Sequence, residues 1–414
     1  MKCLIVGAGT QGAAAAAILA RAADVTGCVL ADYDPELAGS VKAKVTAAAG
    51  ADAGKITAAR VDARDVAAVS ALATGCDVIL NFVHMDFSSA VRAAALAAGA
   101  HYVDTASDLQ WQHDIAFERR VNDDEAFKAA GLVGISGSGD TPGVANALAR
   151  HAADQLDEVD ELILRLGFAF VGGDPDIVHL GFDPGWSPEV ALQDFNDKAC
   201  VFTGGKPTMQ GPFANPETYR FPEPIGDLQI CSHSHDESYT LPFFIGKGIK
   251  ECDFKYGIDQ AAGTLVAMGF GDPQRVIELK NGTRVRPFEV AIALTPRPAQ
   301  SVLADEADLA ALAVWRASLV VTASGRGGGL PKRVLVKRSY SVDADVRRRL
   351  LATLGTVDPF VAAPAVAAAR LATRGETPKG VIAVEALDPL VYLREAQALI
   401  PLTIDVEVAA PLAL

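Results

Sequence analysis

Several features are scarce in this 414-residue sequence, and each scarcity narrows the classes of protein that it can encode. Aromatic residues make up 7% of the chain, and the six cysteines are scattered without a C-x-x-C pair. This cysteine pattern predicts free thiols in a reducing compartment rather than a disulfide framework. No apolar run reaches the roughly 18 to 20 residues that a membrane-spanning helix requires. The first predicted strand begins at residue 2 and leaves no room for a signal peptide, so we expect a cytoplasmic protein.

Basic residues are also scarce, because 37 Lys and Arg stand against 51 Asp and Glu, which gives a formal charge of -14. A partner such as nucleic acid or an anionic membrane requires a basic face, so this charge argues against both partners. Half of the residues are apolar, and a chain of this length is expected to hold about two domains. Abundant alanine favours helices that pack closely on a sheet.

The first stretch of the chain carries the strongest motif. Four apolar residues predict a buried parallel strand, and they run directly into G-x-G-x-x-G and then an alanine-rich helical segment. In this context Gly7 allows a tight turn, Gly9 lets a pyrophosphate approach the backbone, and Gly12 lets helix and strand pack closely. The helix N-terminus offers N–H groups to the phosphates. The predicted cofactor-binding residues of this turn are Gly7, Gly9, Thr10, Gln11 and Gly12.

Acidic and amide residues at the next strand ends extend this prediction. Asp32 lies 20 residues after Gly12, where a carboxylate accepts hydrogen bonds from the adenosine ribose and repels a 2′-phosphate. Positions 33 to 36 hold no Arg or Lys, so the sequence predicts NAD, with NADP less favoured. Asp62, after the third strand, is expected near the adenine, although a helix N-cap for residues 65–73 is an equal alternative. Asn81, at the end of the fourth strand, is also predicted to bind the cofactor.

The pattern of strands and helices predicts two domains. Six βα units over residues 1–137 predict an α/β domain with a doubly wound parallel (Rossmann) sheet that binds ligands at its C-terminal strand ends. After the loop at residues 136–143 the pattern becomes β-rich, which predicts a second α+β domain over residues 138–357, built on a mostly antiparallel sheet. Its expected strands are Glu161–Ala169, Thr264–Phe270, Arg284–Leu294, Ser318–Thr322 and Arg333–Tyr340.

Four stretches carry a resemblance to a known family. They are GAGTQG with the strand end ADYD, RVDARDVAAVSALATGCDVILN with HYVDTASD, GSGDTPGVANALARHAADQLDEVDEL, and the tail RGETPKGVIAVE. Together they resemble the saccharopine dehydrogenase-like oxidoreductases, most closely the L-lysine 6-dehydrogenase and saccharopine reductase types. The segment HSHDESYTLP is similar to a family loop with an acidic residue and Thr-Leu-Pro. The tail departs from the family at Val384-Glu385, where Pro-Glu is expected.

The resemblance implies an activity and an arrangement of the chain. Family members transfer a hydride between a nicotinamide and a C–N carbon of an amino acid or an amino-acid-derived imine. The tail, over about residues 358–408, is then expected to return and complete the nucleotide-binding domain. The resemblance also implies a homodimer or higher homo-oligomer. It does not imply a metal ion.

Four residues are candidates for the catalytic chemistry. His84 follows the fourth strand near the expected nicotinamide, where an imidazole suits acid–base work, although a polar rim residue is the alternative. Asp104 ends the fifth strand and could orient a substrate ammonium or cap the next helix. Asp140 lies where the two domains meet and could equally be a helix N-cap. Glu237, with Thr240, is predicted in a substrate-binding loop.

Other polar and aromatic groups leave alternatives open. A metal site is considered and not favoured, because no further ligand cluster follows the H-x-H segment His233, His235, Asp236 and Glu237. A substrate carboxylate would prefer an arginine, and the sequence does not rank Arg165, Arg220 and Arg338. Trp186 and Tyr239 either wall the pocket or are partly buried loop aromatics.

The sequence therefore predicts an NAD-dependent oxidoreductase that acts on a CH–NH or imine bond of a small amino-acid or imine substrate. The first alternative is a condensing imine reductase of the carboxyspermidine or opine type, or an enoyl reductase. The second alternative is a non-catalytic protein that senses NAD(H).

Overall fold

The fold is described from a computed structural model of the chain. The structure describes residues 1–48, 50–171, 182–296, 302, 309, 312–401 and 403–409. Parts of the predicted second domain therefore lie outside the described residues, namely 172–181, 297–301, 303–308 and 310–311.

The described strands and helices follow one another along the chain, with short 3-10 segments at Ala53–Lys55, Met85–Phe87 and Val384–Ala386. The strands are β1 Lys2–Val6, β2 Gly27–Asp32, β3 Ile56–Arg60, β4 Val78–Asn81, β5 His101–Asp104, β6 Val133–Ser136, β7 Glu158–Val171, β8 Ala199–Thr203, β9 Lys206–Gln210, β10 Glu217–Arg220, β11 Asp227–Ser232, β12 Glu251–Gly257, β13 Ile277–Glu278, β14 Arg284–Val285, β15 Val314–Gly327, β16 Leu330–Val342, β17 Gly380–Ala383 and β18 Ile404–Ala409. The helices are α1 Thr10–Arg21, α2 Pro35–Ala47, α3 Val66–Leu72, α4 Ser88–Ala98, α5 Leu109–His113 with a π-helical continuation Asp114–Glu118, α6 Asp124–Ala129, α7 Val144–Asp154, α8 Pro188–Asn196, α9 Glu237–Ile245, α10 Gln260–Met268, α11 Pro287–Leu294, α12 Ala344–Leu354, α13 Ala362–Arg374 and α14 Pro389–Gln397.

The first sheet is parallel throughout and has the strand order β17-β6-β5-β4-β1-β2-β3. The order reverses between β1 and β4, which is where such sheets bind ligands. Helix α1 packs closely on the sheet because its alanines at positions 13 to 17 are fully buried. The predicted Rossmann fold is confirmed. A strand from the chain's tail, β17, extends this sheet beside β6.

The second sheet is mixed and has the order β10-β11-β12-β7-β15-β16-β18, with β8 on β12 and β9 on β8. Its strand pairs are antiparallel except for β7 and β12, so the predicted α+β architecture is confirmed. Strand β18 pairs with β16, where Arg338 faces Ile404. The predicted tail segment 358–408 is thus shared: β17 enters the first sheet, and β18 enters the second.

Two predicted strands are wrong. Residues 264–268 belong to helix α10, which begins after an Asp259 cap and ends at Gly269 with φ 83. Most of the predicted strand Arg284–Leu294 is helix α11, which has Pro287 in its first turn. Within this stretch, only Arg284–Val285 is a strand. A cap residue, a left-handed glycine and a first-turn proline are local helix signals that outweigh the β-branched residues in these stretches.

Among the described residues, no helix is both long enough and apolar enough to cross a membrane.

Candidate active site

The glycine turn between β1 and α1 has the geometry that a pyrophosphate requires. Gly7 has φ 101, which favours glycine, and a Cβ at Gly12 would overlap the carbonyl oxygen of Gly7. A Cβ at Gly9 would meet no atom within 4 Å, so the backbone is open to an approaching ligand there. Thr10 is the first residue of α1, whose first-turn N–H groups have no partner within the helix. These residues fit a dinucleotide pyrophosphate.

A groove of about 320 Å³ continues from this turn. The Asp32 carboxylate accepts hydrogen bonds from the backbone N–H of Ala8 at 2.7 Å and of Asp34 at 2.9 Å, so its position is fixed by the main chain. An adenosine would fit such a groove, with Asp32 at its ribose. The groove is lined by residues that include Gly7, Asp32, Tyr33, Asp62, Arg64 and Val83.

The other predicted cofactor residues have different surroundings. Asp62 is not the cap of α3, because the Asp65 carboxylate accepts from the N–H of Ala68 at 3.0 Å. Gln11 is held by the tail: its amide donates to Asp358 at 3.1 Å, and its oxygen accepts from a backbone N–H. Asn81 is buried and donates to the Tyr102 hydroxyl at 3.0 Å. The structure thus places Asp62 in the groove, while the Gln11 and Asn81 side chains bind neighbouring protein groups.

His84 links the end of β4 to the second half of the chain. Its Nε2 lies 2.8 Å from the Oε1 of Gln193 on α8, and its Nδ1 accepts from the backbone N–H of Asp86 at 3.3 Å. These two contacts assign the hydrogen to Nε2 and leave the neutral ring with Nδ1 as the acceptor. The ring is about one-fifth exposed (21%), so it is reachable from solvent.

Asp104 anchors the loop that follows β6. It is buried and accepts from the N–H of Gly137 at 2.7 Å and from the hydroxyls of Ser136 and Tyr102 at 2.9 Å each. Burial raises the pKa of Asp104 to about 7. Its predicted alternative role as a helix cap is wrong, because Asp108 caps α5.

Asp140 pairs with a buried arginine of the second sheet. Its carboxylate accepts from Nη1 of Arg338 and from the hydroxyl of Tyr340 at 3.2 Å. The alternative role of Asp140 as the N-cap of α7 is wrong, because Gly143 occupies that position. Arg338 is 1% exposed, and its Nε and Nη2 have no hydrogen-bond partner among the described residues. These two nitrogens form the edge of a guanidinium that binds a carboxylate in a bidentate manner.

The three candidate arginines can therefore be ranked. Arg165 donates to Glu217 at 2.6 Å and to Asp253 at 3.0 Å. Arg220 is on the surface, with its side chain 75% exposed. Only Arg338 of the three combines burial with an unused pair of donors, so it suits a substrate carboxylate best.

Glu237 lies at the start of helix α9 rather than in a loop. Its Oε2 is 2.6 Å from Nδ1 of His235, and its buried Oε1 has no hydrogen-bond partner among the described residues. Burial alone would lower the pKa of His235, but the charge of Glu237 and its hydrogen bond raise it to about 9, with Asp194 and Asp236 contributing. The pair is thus an imidazolium held against a buried carboxylate.

Further carboxyl groups surround this pair and join the two sheets. Asp236 accepts from the N–H of Ser107 at 3.0 Å and from the amide of Gln112 at 2.9 Å, and burial raises its pKa to about 6. Burial also raises the pKa of Asp194 to about 8. Glu385 accepts from the amide of Asn146 at 3.1 Å, and burial raises its pKa to about 7. Asp194 and Glu385 hold protons near neutral pH chiefly because burial disfavours the charged carboxylate, with repulsion from neighbouring carboxylates adding to it.

Sequence reasoning missed Gln193, Asp194 and Glu385 as site residues. Glu385 is part of the tail motif RGETPKGVIAVE, which could have identified it. Gln193 and Asp194 carry no local signal, since they reach the site through the placement of α8. His233 is away from this chemistry: its Nε2 lies 3.1 Å from the carbonyl of Tyr256, and burial lowers its pKa to about 3.

Trp186 and Tyr239, the two candidates for pocket walls, pack against other side chains of the chain. Trp186 meets the rings of Phe168 and Tyr256 edge-on. Tyr239 is 4% exposed, and its hydroxyl points to the sulfur of Met209 at 3.8 Å. Trp186 matches the alternative of a partly buried loop aromatic, while Tyr239 is a buried residue of helix α9.

A metal-like grouping occurs among the described residues at His113, Asp114 and Glu118. The Asp114 carboxylate already accepts from Gln110, Arg120 and Asn122. An ion would have to displace these donors, so the grouping is a hydrogen-bonded turn.

Comparisons with known proteins agree with this geometry. The family described as "Saccharopine dehydrogenase NADP binding domain" matches residues 3–135. The carboxynorspermidine synthases of Vibrio alginolyticus and Vibrio cholerae are each 25% identical over 358 residues, which cover 82% of this chain and 80% of the relative.

Two solved structures share the fold over nearly the whole chain. Saccharopine dehydrogenase (L-Glu forming) from Saccharomyces cerevisiae has a TM-score of 0.66 at 13% identity and covers 99% of this chain and 100% of its own. The homospermidine synthase of Legionella pneumophila, solved with NAD, has a TM-score of 0.65 at 11% identity and covers 99% and 91%. The predicted resemblance to the saccharopine dehydrogenase-like oxidoreductases is confirmed: residues 3–135 match the family's nucleotide-binding domain, and the two solved structures share the fold of the chain.

Proposed function

We propose that the enzyme uses NAD to transfer a hydride at the C–N bond of an amino acid or an amino-acid-derived imine. The observation that carries the proposal is the unused Nε–Nη2 edge of Arg338, buried beside the loop that follows β6. That loop lies at the C-terminal edge of the first sheet, the edge at which a bound dinucleotide presents its nicotinamide. An anionic substrate group held at Arg338 would thus lie at the reactive end of the cofactor site.

The choice of NAD rests on Asp32. Its carboxylate is fixed at the end of β2, where it would accept hydrogen bonds from a ribose and repel a 2′-phosphate. The family description names NADP and the homospermidine synthase structure holds NAD, so selectivity is a property to be measured on this chain.

Each residue of the site has one task in the oxidative direction. The bound nicotinamide supplies the hydride acceptor. Arg338 binds the substrate carboxylate through Nε and Nη2, while Asp140 holds its Nη1. His84 accepts the amine proton at Nδ1, where it displaces the 3.3 Å contact from the Asp86 N–H, and keeps its Nε2–H on Gln193. The carboxyl oxygens near His235 offer hydrogen-bond acceptors to a substrate ammonium.

Substitution of Arg338 tests this assignment. Arg338→Lys keeps a positive charge beside Asp140 and removes the forked edge, so KM for the amino acid should rise at least about tenfold with kcat little changed. The assay follows NADH formation with NAD or NADP and a panel that includes lysine, ornithine and saccharopine. Arg220→Lys, at an exposed position, is the matched control. An unchanged KM would remove Arg338 from the carboxylate site.

A condensing imine reductase is the second candidate. It is supported by the relatives named carboxynorspermidine synthase, which match 80% of their own length, and by the buried carboxyls around His235, which suit a diamine. In this case NADH would be oxidised only when an amino-acid aldehyde and a diamine are both supplied. Oxidation with the aldehyde alone would contradict it.

Three further proposals concern the setting of the enzyme. The family resemblance supports a homodimer or higher homo-oligomer, which light scattering after gel filtration would measure.

The six free cysteines are all buried, which supports a reducing cytoplasmic location. A non-catalytic NAD(H) sensor would bind the nucleotide without turnover of any amine, and substitution of His84 or Asp140 would leave its binding unchanged.

A further inference from the structure

Positions 33 to 36, which follow β2, hold no arginine, but the adenosine groove contains one that follows β3. Arg64 lines the groove together with Asp32 and Tyr33. Its Nε donates to Oδ1 of Asp62 at 2.9 Å, and its Nη2 donates to Oδ2 at 2.6 Å. The forked edge of the guanidinium, which is the part that recognises a phosphate, is therefore occupied by a carboxylate.

Asp62 also fixes the main chain at this point. Its Oδ1 accepts from the backbone N–H of Arg64 at 3.0 Å, so one carboxylate orients both the side chain and the backbone of the same residue. Arg64 lowers the pKa of Asp62 to about 2, with the hydrogen bond as the largest cause, so the carboxylate is charged at any pH of a binding assay. The Arg64 side chain is 69% exposed and has room to move once it is released.

We propose that Asp62 sets the cofactor preference of this enzyme by holding Arg64 away from the position of a 2′-phosphate. Selectivity for NAD then depends on two carboxylates with different tasks. Asp32 repels the phosphate directly, and Asp62 occupies the guanidinium that would otherwise bind it. The inference rests on the proposed NAD site and adds a residue that determines its specificity.

The neighbouring arginine is engaged differently. Arg60 lies on β3 in register with Asp32, and its guanidinium stands 5.5 Å from the centre of the Tyr33 ring. Its Nε donates to the carbonyl of Tyr33 at 3.4 Å. Arg60 thus stacks on an aromatic ring, whereas Arg64 is paired with a carboxylate, so removal of Asp62 frees a guanidinium in the groove.

The test measures NADH and NADPH affinity of the full chain by nucleotide fluorescence. Asp62→Asn should raise the affinity for NADPH relative to NADH by about tenfold, because a released guanidinium gains a charge-assisted bond to the phosphate. Arg64→Gln added to Asp62→Asn should cancel this gain. Asp345→Asn, which breaks an exposed Asp–Arg pair that does not line the groove, is the control and should leave the ratio unchanged.

Three results would overturn the inference. They are an unchanged ratio in Asp62→Asn, a gain that persists in the double variant, and a wild-type preference for NADPH. In each case the wild type binds a dinucleotide, so the cofactor site itself stands. Failure of the wild type to bind either dinucleotide would instead refute the proposed function, and the inference with it.

Discussion

The buried pair of Glu237 and His235 leads to a prediction about stability and pH. Glu237→Gln removes the charge that keeps the imidazole protonated while leaving a side chain of the same shape. Relative to an unfolded pKa of 6.5, the folded pKa of about 9 corresponds to a stabilisation of about 3 kcal/mol at pH 6. This agrees with the roughly 3–5 kcal/mol lost when one partner of a buried ion pair is removed.

The sign follows from the raised pKa. Because the folded protein binds this proton more tightly than the unfolded chain, the contribution is fully present below pH 6.5 and is lost as the pH rises through 9. The carboxyls of Asp194 and Asp236 face the same imidazole, and burial raises the pKa of both. Their contributions also fall as pH rises above the ordinary Asp value, but both carboxyls remain in the variant. Glu237 also raises the pKa of Asp194 and of Asp236, so its removal lowers both, and this change makes the deficit of the variant smaller at high pH, in the same direction as the His235 pair.

Urea unfolding followed by tryptophan fluorescence at pH 6, 7, 8 and 9 measures this difference. We expect Glu237→Gln to lose about 3 kcal/mol at pH 6 and less than about 1 kcal/mol at pH 9. Glu376→Gln is a suitable control, because the Glu376 side chain is 46% exposed and its pair with Arg374 should contribute at most about 1 kcal/mol at any pH. An equal deficit at pH 6 and pH 9 would refute the charge-pair interpretation.

Three other substitutions test the turn, a helix end and the link between the sheets. Gly9→Val should abolish NADH binding in a fluorescence titration without unfolding the chain, since a Cβ there meets no protein atom within 4 Å; wild-type affinity would contradict the predicted turn. Gly99→Ala should lower stability by about 1 kcal/mol in thermal unfolding, because α4 ends there at φ 71 and only the backbone is strained; a much larger loss would reveal an additional packing role. His84→Ala should lower kcat about 100-fold and leave dinucleotide affinity unchanged; kcat within threefold of wild type would exclude His84 as the proton acceptor.

The first sheet could be predicted from the sequence because its signals are local. A buried run, a glycine turn and an alanine-rich helix follow one another within 21 residues, and Gly99, which ends α4, is itself a local helix-stop signal. The two helices mistaken for strands also had local signals, namely the Asp259 cap and the first-turn Pro287. Their β-branched residues favoured the wrong interpretation, since β propensity depends on packing more than on the backbone.

The chemistry of the site was predicted less completely because its contacts join distant parts of the chain. His84 meets Gln193 across 109 residues, and Asp140 meets Arg338 across 198. Such pairs follow from how the second sheet packs against the first, which no local pattern records. The sequence identified His84, Asp140 and Arg338 as candidates by residue type, and the unused edge of Arg338 emerged only from its burial.

The tail strand β17 has a consequence for synthesis of the protein. Strand β6 ends at Ser136, and its outer neighbour begins at Gly380, about 240 residues later. At about 5–20 residues per second, a ribosome needs roughly 12 to 50 s to make the intervening chain. During that time β6 is an unpaired edge strand. Its residues Val133 and Ile135, which are fully buried in the finished fold, lack the neighbouring strand β17. The nascent nucleotide-binding half therefore exposes an unpaired strand edge until the tail strand β17 has been synthesised.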